Sequence, residues 1–297
     1  MPDVTIQAAS NRTNPAGGTP VLSVIVPCFN ERPNVAPMIA KLDIALAGIA
    51  WEVIYVDDNS PDGTAQDVRR IAQRDNRVRC IRRIGRRGLA SAVIEGALSS
   101  SADYIAVIDG DLQHDETILP AMLDALQADA SLDVAIGSRF AEGGGTGDWD
   151  RDRVAKSALA TRLARHVLKA ELSDPMSGFF MIRTEIVRAL APDLAGIGFK
   201  ILLDIMTGSR RPLRFREFSY VFRNRKVGES KLDHVVAMEF LIALYDRPFG
   251  RYVPVRFAMF SAIGLLGVAV HMGVLSLLYL ALGTTSSPGR SSPHWPR

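Results

Sequence analysis

Residues Tyr104–Gln113 read YIAVIDGDLQ, and this run indicates the fold of the chain. Five apolar residues are followed at once by two carboxylates and an amide. A short apolar run bounded by turn-forming residues is typical of a strand that is covered on both faces of a sheet. In open α/β sheets, ligands bind outside the carboxyl ends of the strands. The run therefore predicts a buried strand with a functional site directly after it.

Strand-like and helix-like patterns alternate on both sides of this run. Regular alternation of this kind predicts an α/β fold with a mostly parallel sheet and right-handed crossovers. The first five predicted strands are Val21–Pro27, Trp51–Asp57, Val78–Arg82, Tyr104–Asp109 and Val134–Gly137. The helices predicted among them are Val35–Ala47, Thr64–Arg74, Leu89–Ser99 and Glu116–Ala128. Further along, we predict helices over Arg153–Lys169, Phe199–Met206 and Leu232–Tyr245, and strands over Phe179–Ile182 and Leu213–Phe222.

The polar residues after the fourth predicted strand are suited to a metal ion. If the extended conformation continues past the strand, Asp109, Asp111 and Gln113 point to one face. Hard divalent cations such as Mg²⁺ and Mn²⁺ prefer oxygen ligands and often share them with substrate phosphates. Gly110 lets a ligand approach the backbone closely. We therefore expect a Mg²⁺ or Mn²⁺ cofactor at Asp109, Asp111 and Gln113.

The carboxyl-terminal part of the chain has the composition of a membrane-associated segment. Residues Phe257–Leu282 form a run of 26 without Asp, Glu, Lys or Arg, and a membrane-spanning helix needs about 20 apolar residues. From Gly208 to Arg256, eleven Lys and Arg residues face five Asp and Glu residues. A basic segment beside an apolar span is attracted to anionic lipid on the cytoplasmic side. The net charge of +3 for the whole chain is too small to indicate nucleic acid as a partner.

Six motifs occur in order along the chain, from VPCFNE at Val26 to GESKL at Gly228. They resemble those of family-2, GT-A-fold glycosyltransferases, and among them the polyprenol-phosphate (dolichol-phosphate) mannosyltransferases. The resemblance extends over about residues 21 to 245. Phe29 departs from it because tyrosine is usual at that position, and Ala90 stands where glycine is frequent. The motifs are VPCFNE from Val26, VDDNSPDGT from Val56, DGDLQH from Asp109, GSRF from Gly137, DPMSGFF from Asp174 and GESKL from Gly228.

The resemblance implies roles for individual side chains. It implies that the nucleotide of a sugar donor is held by Pro27, Phe29, Glu31, Val56, Asp58 and Gly110. It implies that phosphate groups of donor or acceptor are held by Arg139, Arg153, Arg225 and Lys231. It implies that the metal is bound by Asp109, Asp111 and Gln113, and that the catalytic set is Asp109, Asp111, Arg139 and Arg225.

The implied reaction is inverting transfer of a hexose, mannose from GDP-mannose, to a polyprenyl or dolichyl monophosphate. Such an acceptor is already ionised near pH 7, because the second phosphate pKa is about 6, so no side chain has to deprotonate it. Transfer of glucose from UDP-glucose remains an alternative, as does an inactive membrane-tethered protein that only binds a nucleotide sugar. A processive polysaccharide synthase is disfavoured, because neither its Gln-x-x-Arg-Trp motif nor several spans are present. The oligomeric state is left open.

These patterns also predict how the chain is organised along its length. We expect the GT-A domain to lie at the cytoplasmic face of the cell membrane. The membrane helix resembles the first helix of a GtrA-like domain. The expected segments are a disordered leader at 1–20, the GT-A domain at 21–231, an amphipathic interfacial segment at 232–255, the membrane helix at 256–283 and a disordered tail at 284–297.

Overall fold

The computed structural model describes residues 18–145, 172–194, 196, 201–223 and 255–283. The chain separates into two units, Met1–Leu241 and Ile242–Arg297, and each is described by itself. The predicted helices Arg153–Lys169 and Leu232–Tyr245 lie outside the described residues.

The first unit is built on a seven-stranded sheet with the order β3-β2-β1-β4-β6-β5-β7. Strands β1, β2, β3 and β4 pair in parallel, as does β5 with β7, whereas β6 lies antiparallel between β4 and β5. The prediction of a mostly parallel α/β sheet of the GT-A type is therefore confirmed. The strands are β1 Leu22–Cys28, β2 Trp51–Asp57, β3 Val78–Arg82, β4 Tyr104–Val107, β5 Val134–Ser138, β6 Phe180–Arg183 and β7 Phe215–Ser219.

Helices cover both faces of this sheet. In β1 the alternating side chains of Val24 and Val26 join one apolar cluster, while Ile25 joins the cluster on the opposite face. This explains why the strands read as continuous apolar runs rather than alternating ones. The helices of the unit are α1 Val35–Ala45, α2 Thr64–Ala72, α3 Leu89–Ser99, α4 Leu119–Ala128, α5 Thr184–Leu190 and α6 Ile201–Gly208, with short 3₁₀ turns at Arg32–Asn34, Glu116–Ile118 and Ala191–Asp193.

Two features differ from the sequence-based predictions. Strand β4 ends at Val107 rather than at Asp109, because a turn begins at Gly110. Helix α5 was not predicted, since its seven residues are too few to show a clear helical periodicity.

The second unit contains one described helix, α7 Val255–Gly283. Within it, Phe260–Leu280 is 21 residues long with a mean hydropathy of 2.1, so its length and composition suffice to cross a membrane.

Candidate active site

The loops after β1 and β2 are joined by hydrogen bonds at the carboxyl edge of the sheet. The backbone N–H of Asn30 donates to Ser60 Oγ at 2.9 Å, and that of Glu31 donates to Thr64 Oγ1 at 3.1 Å. Pro27 lies opposite Val56 in the parallel register of the two strands. Five of the six residues predicted to hold a nucleotide, namely Pro27, Phe29, Glu31, Val56 and Asp58, thus lie on or directly after two neighbouring strands.

Asp58 makes an ion pair with Arg83, a residue that the sequence analysis did not single out. Arg83 is 1% exposed, and its Nε donates to Asp58 Oδ1 at 2.7 Å. Its other guanidinium nitrogens donate to Ser91 Oγ and to the carbonyl oxygen of Gly88, each at 2.8 Å. The N–H of Gly88 donates to Asp58 Oδ2 at 2.8 Å. Both carboxylate oxygens of Asp58 therefore hold the loop between β3 and α3.

That loop also brings a second arginine to the predicted nucleotide region. The guanidinium carbon of Arg87 lies 4.4 Å from the centre of the Phe29 ring. This is a cation–π distance, and it does not need the hydroxyl that tyrosine would add at position 29. Because Arg83 and Gly88 bind the same carboxylate, the intervening residues are held at both ends.

The acidic loop Asp109–Gln113 does not continue the extended conformation of β4. Leu112 has a φ of +64°, in the left-handed region that branched residues rarely adopt. The expectation that an extended chain aligns Asp109, Asp111 and Gln113 on one face is therefore wrong. The turn is stabilised by the N–H of Gln113, which donates to Asp111 Oδ1 at 3.1 Å.

His114 is buried behind the acidic loop and is held in its neutral form. Its ring stacks on Phe179 with centres 5.2 Å apart. The backbone N–H of Asp109 donates to His114 Nδ1 at 3.2 Å, which occupies the lone pair of that nitrogen. Burial, together with the nearby charge of Arg139, lowers the pKa of His114 to about 3. With the Nδ1 lone pair occupied and the pKa this low, the neutral ring is a poor proton acceptor near pH 7.

Arg139 follows β5 and makes a bidentate ion pair. Its Nε and Nη2 donate to the two carboxylate oxygens of Asp174 at 2.7 and 2.8 Å. Asp174 is completely buried, and its own N–H donates to Glu217 on β7 at 3.3 Å. The fork geometry fixes the plane of the guanidinium. Asp174 belongs to a quoted motif, but no local pattern indicated that it would pair with Arg139.

The segment 220–223 after β7 is hydrogen-bonded to the acidic loop. The N–H of Arg223 donates to the Gln113 carbonyl at 2.8 Å, and Gln113 Nε2 donates to the Arg223 carbonyl at 3.0 Å. The Arg223 guanidinium donates to Asp115 Oδ1 at 2.6 Å and also binds Glu116. Arg153, Arg225 and Lys231 lie outside the described residues.

The donor set at the acidic loop fits a hard divalent cation. Asp109 is 32% exposed at its side chain, and Asp111 is the second carboxylate of the loop. The amide nitrogen of Gln113 donates to the Arg223 carbonyl, so the amide oxygen is the atom of this side chain that a metal ion would bind. Within the described ranges, no three His, Cys, Asp or Glu side chains lie close enough together to hold a metal ion. The predicted set does not require such a group, because only two of its three residues are of these types. Two carboxylates and an amide, with further positions left to phosphate and water, are typical of Mg²⁺ sites.

Gly178 makes room for the Asp109 carboxylate, which leads to a prediction. A Cβ at position 178 would lie 3.1 and 3.3 Å from the two carboxylate oxygens of Asp109. We expect Gly178→Ala to displace that carboxylate and to weaken Mn²⁺ binding about tenfold, the range found when groups that orient metal ligands are changed. Manganese titration by electron paramagnetic resonance measures this. Gly145→Ala is the control, because its Cβ would meet only Val221 at 3.8 Å; equal losses in both variants would contradict the prediction.

The sheet order and the acidic loop at its carboxyl edge define an α/β transferase of the GT-A class. The sequence profile named Glycosyl transferase family 2 matches residues 23–191. The chain belongs to this family and is a glycosyltransferase. It is 36% identical over 265 residues to a dolichol-phosphate mannosyltransferase of Pyrococcus furiosus, covering 88% of this chain and 73% of that protein. It is 35% identical to the dolichol-phosphate mannosyltransferase of Saccharomyces cerevisiae, covering 75% of this chain and 85% of that protein.

Solved structures share the fold at lower identity. Glucosyl-3-phosphoglycerate synthase from Mycobacterium tuberculosis, in complex with Mn²⁺, UDP and phosphoglyceric acid, matches with a TM-score of 0.58 at 22% identity. The match covers 77% of this chain and 78% of that one. At this level of identity the similarity concerns the GT-A architecture alone.

Proposed function

We propose that the protein transfers mannose from GDP-mannose to a polyprenyl or dolichyl monophosphate, with inversion at the anomeric carbon. Relatives named dolichol-phosphate mannosyltransferase, at 35 and 36% identity over most of the chain, support the choice of sugar and acceptor. The family membership supports the class of reaction. The identity of the donor nucleotide and the inversion at the anomeric carbon are proposed in addition to what the relatives and the family support.

The observation that carries the proposal is an acidic loop next to a histidine that is not suited to act as a base. His114 is the only histidine in the described part of the first unit, and its Nδ1 accepts the N–H of Asp109. A sugar hydroxyl would need a base to remove its proton, whereas a phosphate monoester is already an oxyanion near neutral pH. A phosphate acceptor needs no proton removed by the site, which agrees with a histidine that is a poor base.

In this proposal the side chains bind and orient two anionic groups. Asp109, Asp111 and Gln113 hold a divalent cation, which when bound supplies positive charge to the leaving diphosphate. Gly110 leaves space for the diphosphate beside the loop. Arg139 is oriented by Asp174 and faces the same loop, where its charge attracts phosphate.

The remaining roles in the proposal belong to the loops after β1 and β2, to three basic residues and to helix α7. The nucleotide contacts Pro27, Phe29, Glu31 and Val56, while Asp58 holds the loop that carries Arg87 over Phe29. Arg153, Arg225 and Lys231 complete the phosphate site.

The helix α7 attaches the enzyme to the cell membrane, with the GT-A domain on its cytoplasmic face and residues 232–255 in the interface. Residues 21–231 form the catalytic domain, with leader and tail at 1–20 and 284–297.

A transfer assay with the full chain tests this function. Polyprenyl phosphate in detergent or vesicles is mixed with Mn²⁺ and with labelled GDP-mannose or UDP-glucose, and label is followed into the lipid phase. We expect transfer from GDP-mannose that stops when the metal is chelated. Transfer only from UDP-glucose would replace the donor in the proposal. Binding of nucleotide without transfer to any acceptor would indicate a protein that binds a nucleotide sugar but is not an active transferase.

The pH profile tests whether the acceptor, rather than the enzyme, supplies the ionised group. Because His114 is neutral throughout this range, we expect the rate to fall as pH drops through the second phosphate pKa of the acceptor, about 6. A lipid phosphonate acceptor has a higher second pKa than a phosphate. With it, the fall in rate should move to higher pH by the difference between the two pKa values. A profile that stays in place with both acceptors would indicate an ionising group of the enzyme.

A further inference from the structure

One buried polar group near the proposed metal site has no protein hydrogen-bond partner in the part of the chain that the structure describes. The hydroxyl of Tyr220 is inaccessible to solvent and unpaired, and the residue is 3% exposed. Leaving a buried hydroxyl unpaired is unfavourable, because the group loses its hydrogen bonds to water and gains none in return. A phenylalanine would avoid this cost, so the hydroxyl requires an explanation.

The surroundings of the Tyr220 ring place it against the acidic loop. The ring centre lies 5.8 Å from that of His114 and 5.5 Å from that of Phe179, both in edge-to-face arrangements. His114 is in turn hydrogen-bonded to the backbone of Asp109. The backbone on both sides of Tyr220 is fixed, because its N–H donates to the Ser138 carbonyl and its carbonyl accepts from Gly145. The position of the ring is thus set by the fold.

The charges near this hydroxyl belong to the same site. Burial raises the pKa of Tyr220 well above its ordinary value; Arg139 opposes this, and Asp174, Asp109 and Asp111 add to it. The phenol is therefore protonated at every working pH and acts as a hydrogen-bond donor. Asp174 already accepts both guanidinium bonds of Arg139, whereas Asp109 and Asp111 are the two carboxylates of the proposed metal site.

We propose that Tyr220 is a positioning residue whose hydroxyl donates to a carboxylate oxygen of the Asp109–Asp111 pair when a divalent cation is bound. This inference rests on the metal site of the proposed function and extends it to a residue in the segment after β7. The hydrogen bond holds one carboxylate in the orientation that binds the cation. Groups of this kind, which orient metal ligands without touching the metal, are worth about 10–100-fold in metal affinity.

Tyr220→Phe tests the proposal without changing the shape of the core. We expect Mn²⁺ affinity, measured by electron paramagnetic resonance without donor or acceptor, to fall about tenfold. The melting temperature of the metal-free protein should stay equal or rise, because the variant loses only an unpaired hydroxyl. Tyr55→Phe is the matched control, since the Tyr55 hydroxyl is also buried but donates to the Val35 carbonyl at 3.2 Å. That variant should lower the melting temperature and leave Mn²⁺ affinity unchanged.

Several outcomes would overturn the proposal. If Tyr220→Phe lowers the melting temperature and leaves Mn²⁺ affinity intact, the hydroxyl serves the fold alone. If only GDP affinity falls, the hydroxyl serves the nucleotide rather than the carboxylates. Absence of Mn²⁺ binding in the unaltered protein would instead reject the metal site, and with it the proposed function, so the two failures are distinguishable.

Discussion

Asp111→Asn is expected to abolish transfer almost completely while leaving the fold intact. Asparagine retains an oxygen at the position where Asp111 Oδ1 accepts the N–H of Gln113, so the turn of the acidic loop is preserved. What is lost is the negative charge that would hold the cation. Metal ions contribute several kcal/mol of charge stabilisation, so we expect a loss of about 10³-fold in kcat/KM.

The measurement combines the transfer assay with nucleotide binding. In the unaltered protein, GDP should bind more tightly when Mn²⁺ is present, and the variant should lose that difference. Glu95→Gln is the control, because Glu95 is a helix-surface carboxylate whose ion pair among the described residues is with the exposed Arg86. Activity in Asp111→Asn within a few-fold of the control would remove Asp111 from the site.

Arg83→Met is expected to destabilise the protein strongly. It removes four hydrogen bonds, which Arg83 donates to Asp58, Ser91 and Gly88 at a site that is 1% exposed. Among the described residues, the Asp58 carboxylate then keeps the Gly88 N–H as its hydrogen-bond donor, in a residue that is 8% exposed. Removal of one member of a buried ion pair costs about 3–5 kcal/mol, because the other charge remains buried. GDP affinity should fall as well, since the loop that carries Arg87 loses its attachment.

Denaturant unfolding followed by tryptophan fluorescence measures the stability. Arg83→Met combined with Asp58→Asn should recover part of the lost stability, because the second change removes the stranded charge and keeps an acceptor for Gly88. Arg86→Met is the control, and loss of its exposed pair with Glu95 should cost less than about 1 kcal/mol. If the double variant is no more stable than the single one, the burial of an unpaired carboxylate is not the cause.

The position of the acidic loop could be predicted from neighbouring residues, whereas its conformation could not. Its position after a buried strand followed from the apolar run that precedes it, and β4 begins at the predicted Tyr104. The conformation of the loop did not follow, because Leu112 adopts a positive φ that is unfavourable for a branched residue. Contacts from elsewhere in the chain, including the two hydrogen bonds between Gln113 and Arg223, accompany that conformation.

Sequence by itself determined the α/β class, the start of most strands and the loops in which the candidate residues lie. These depend on periodicity and turn chemistry within a few neighbouring residues. The tertiary structure alone decided the pairing of Arg83 with Asp58 and of Arg139 with Asp174, which are 25 and 35 residues apart. It also placed β6 antiparallel in the sheet, and it packed the Tyr220 ring against His114 with a buried hydroxyl that has no partner among the described residues. Pairings of this kind depend on which strands become neighbours in the sheet, and no local pattern records that choice.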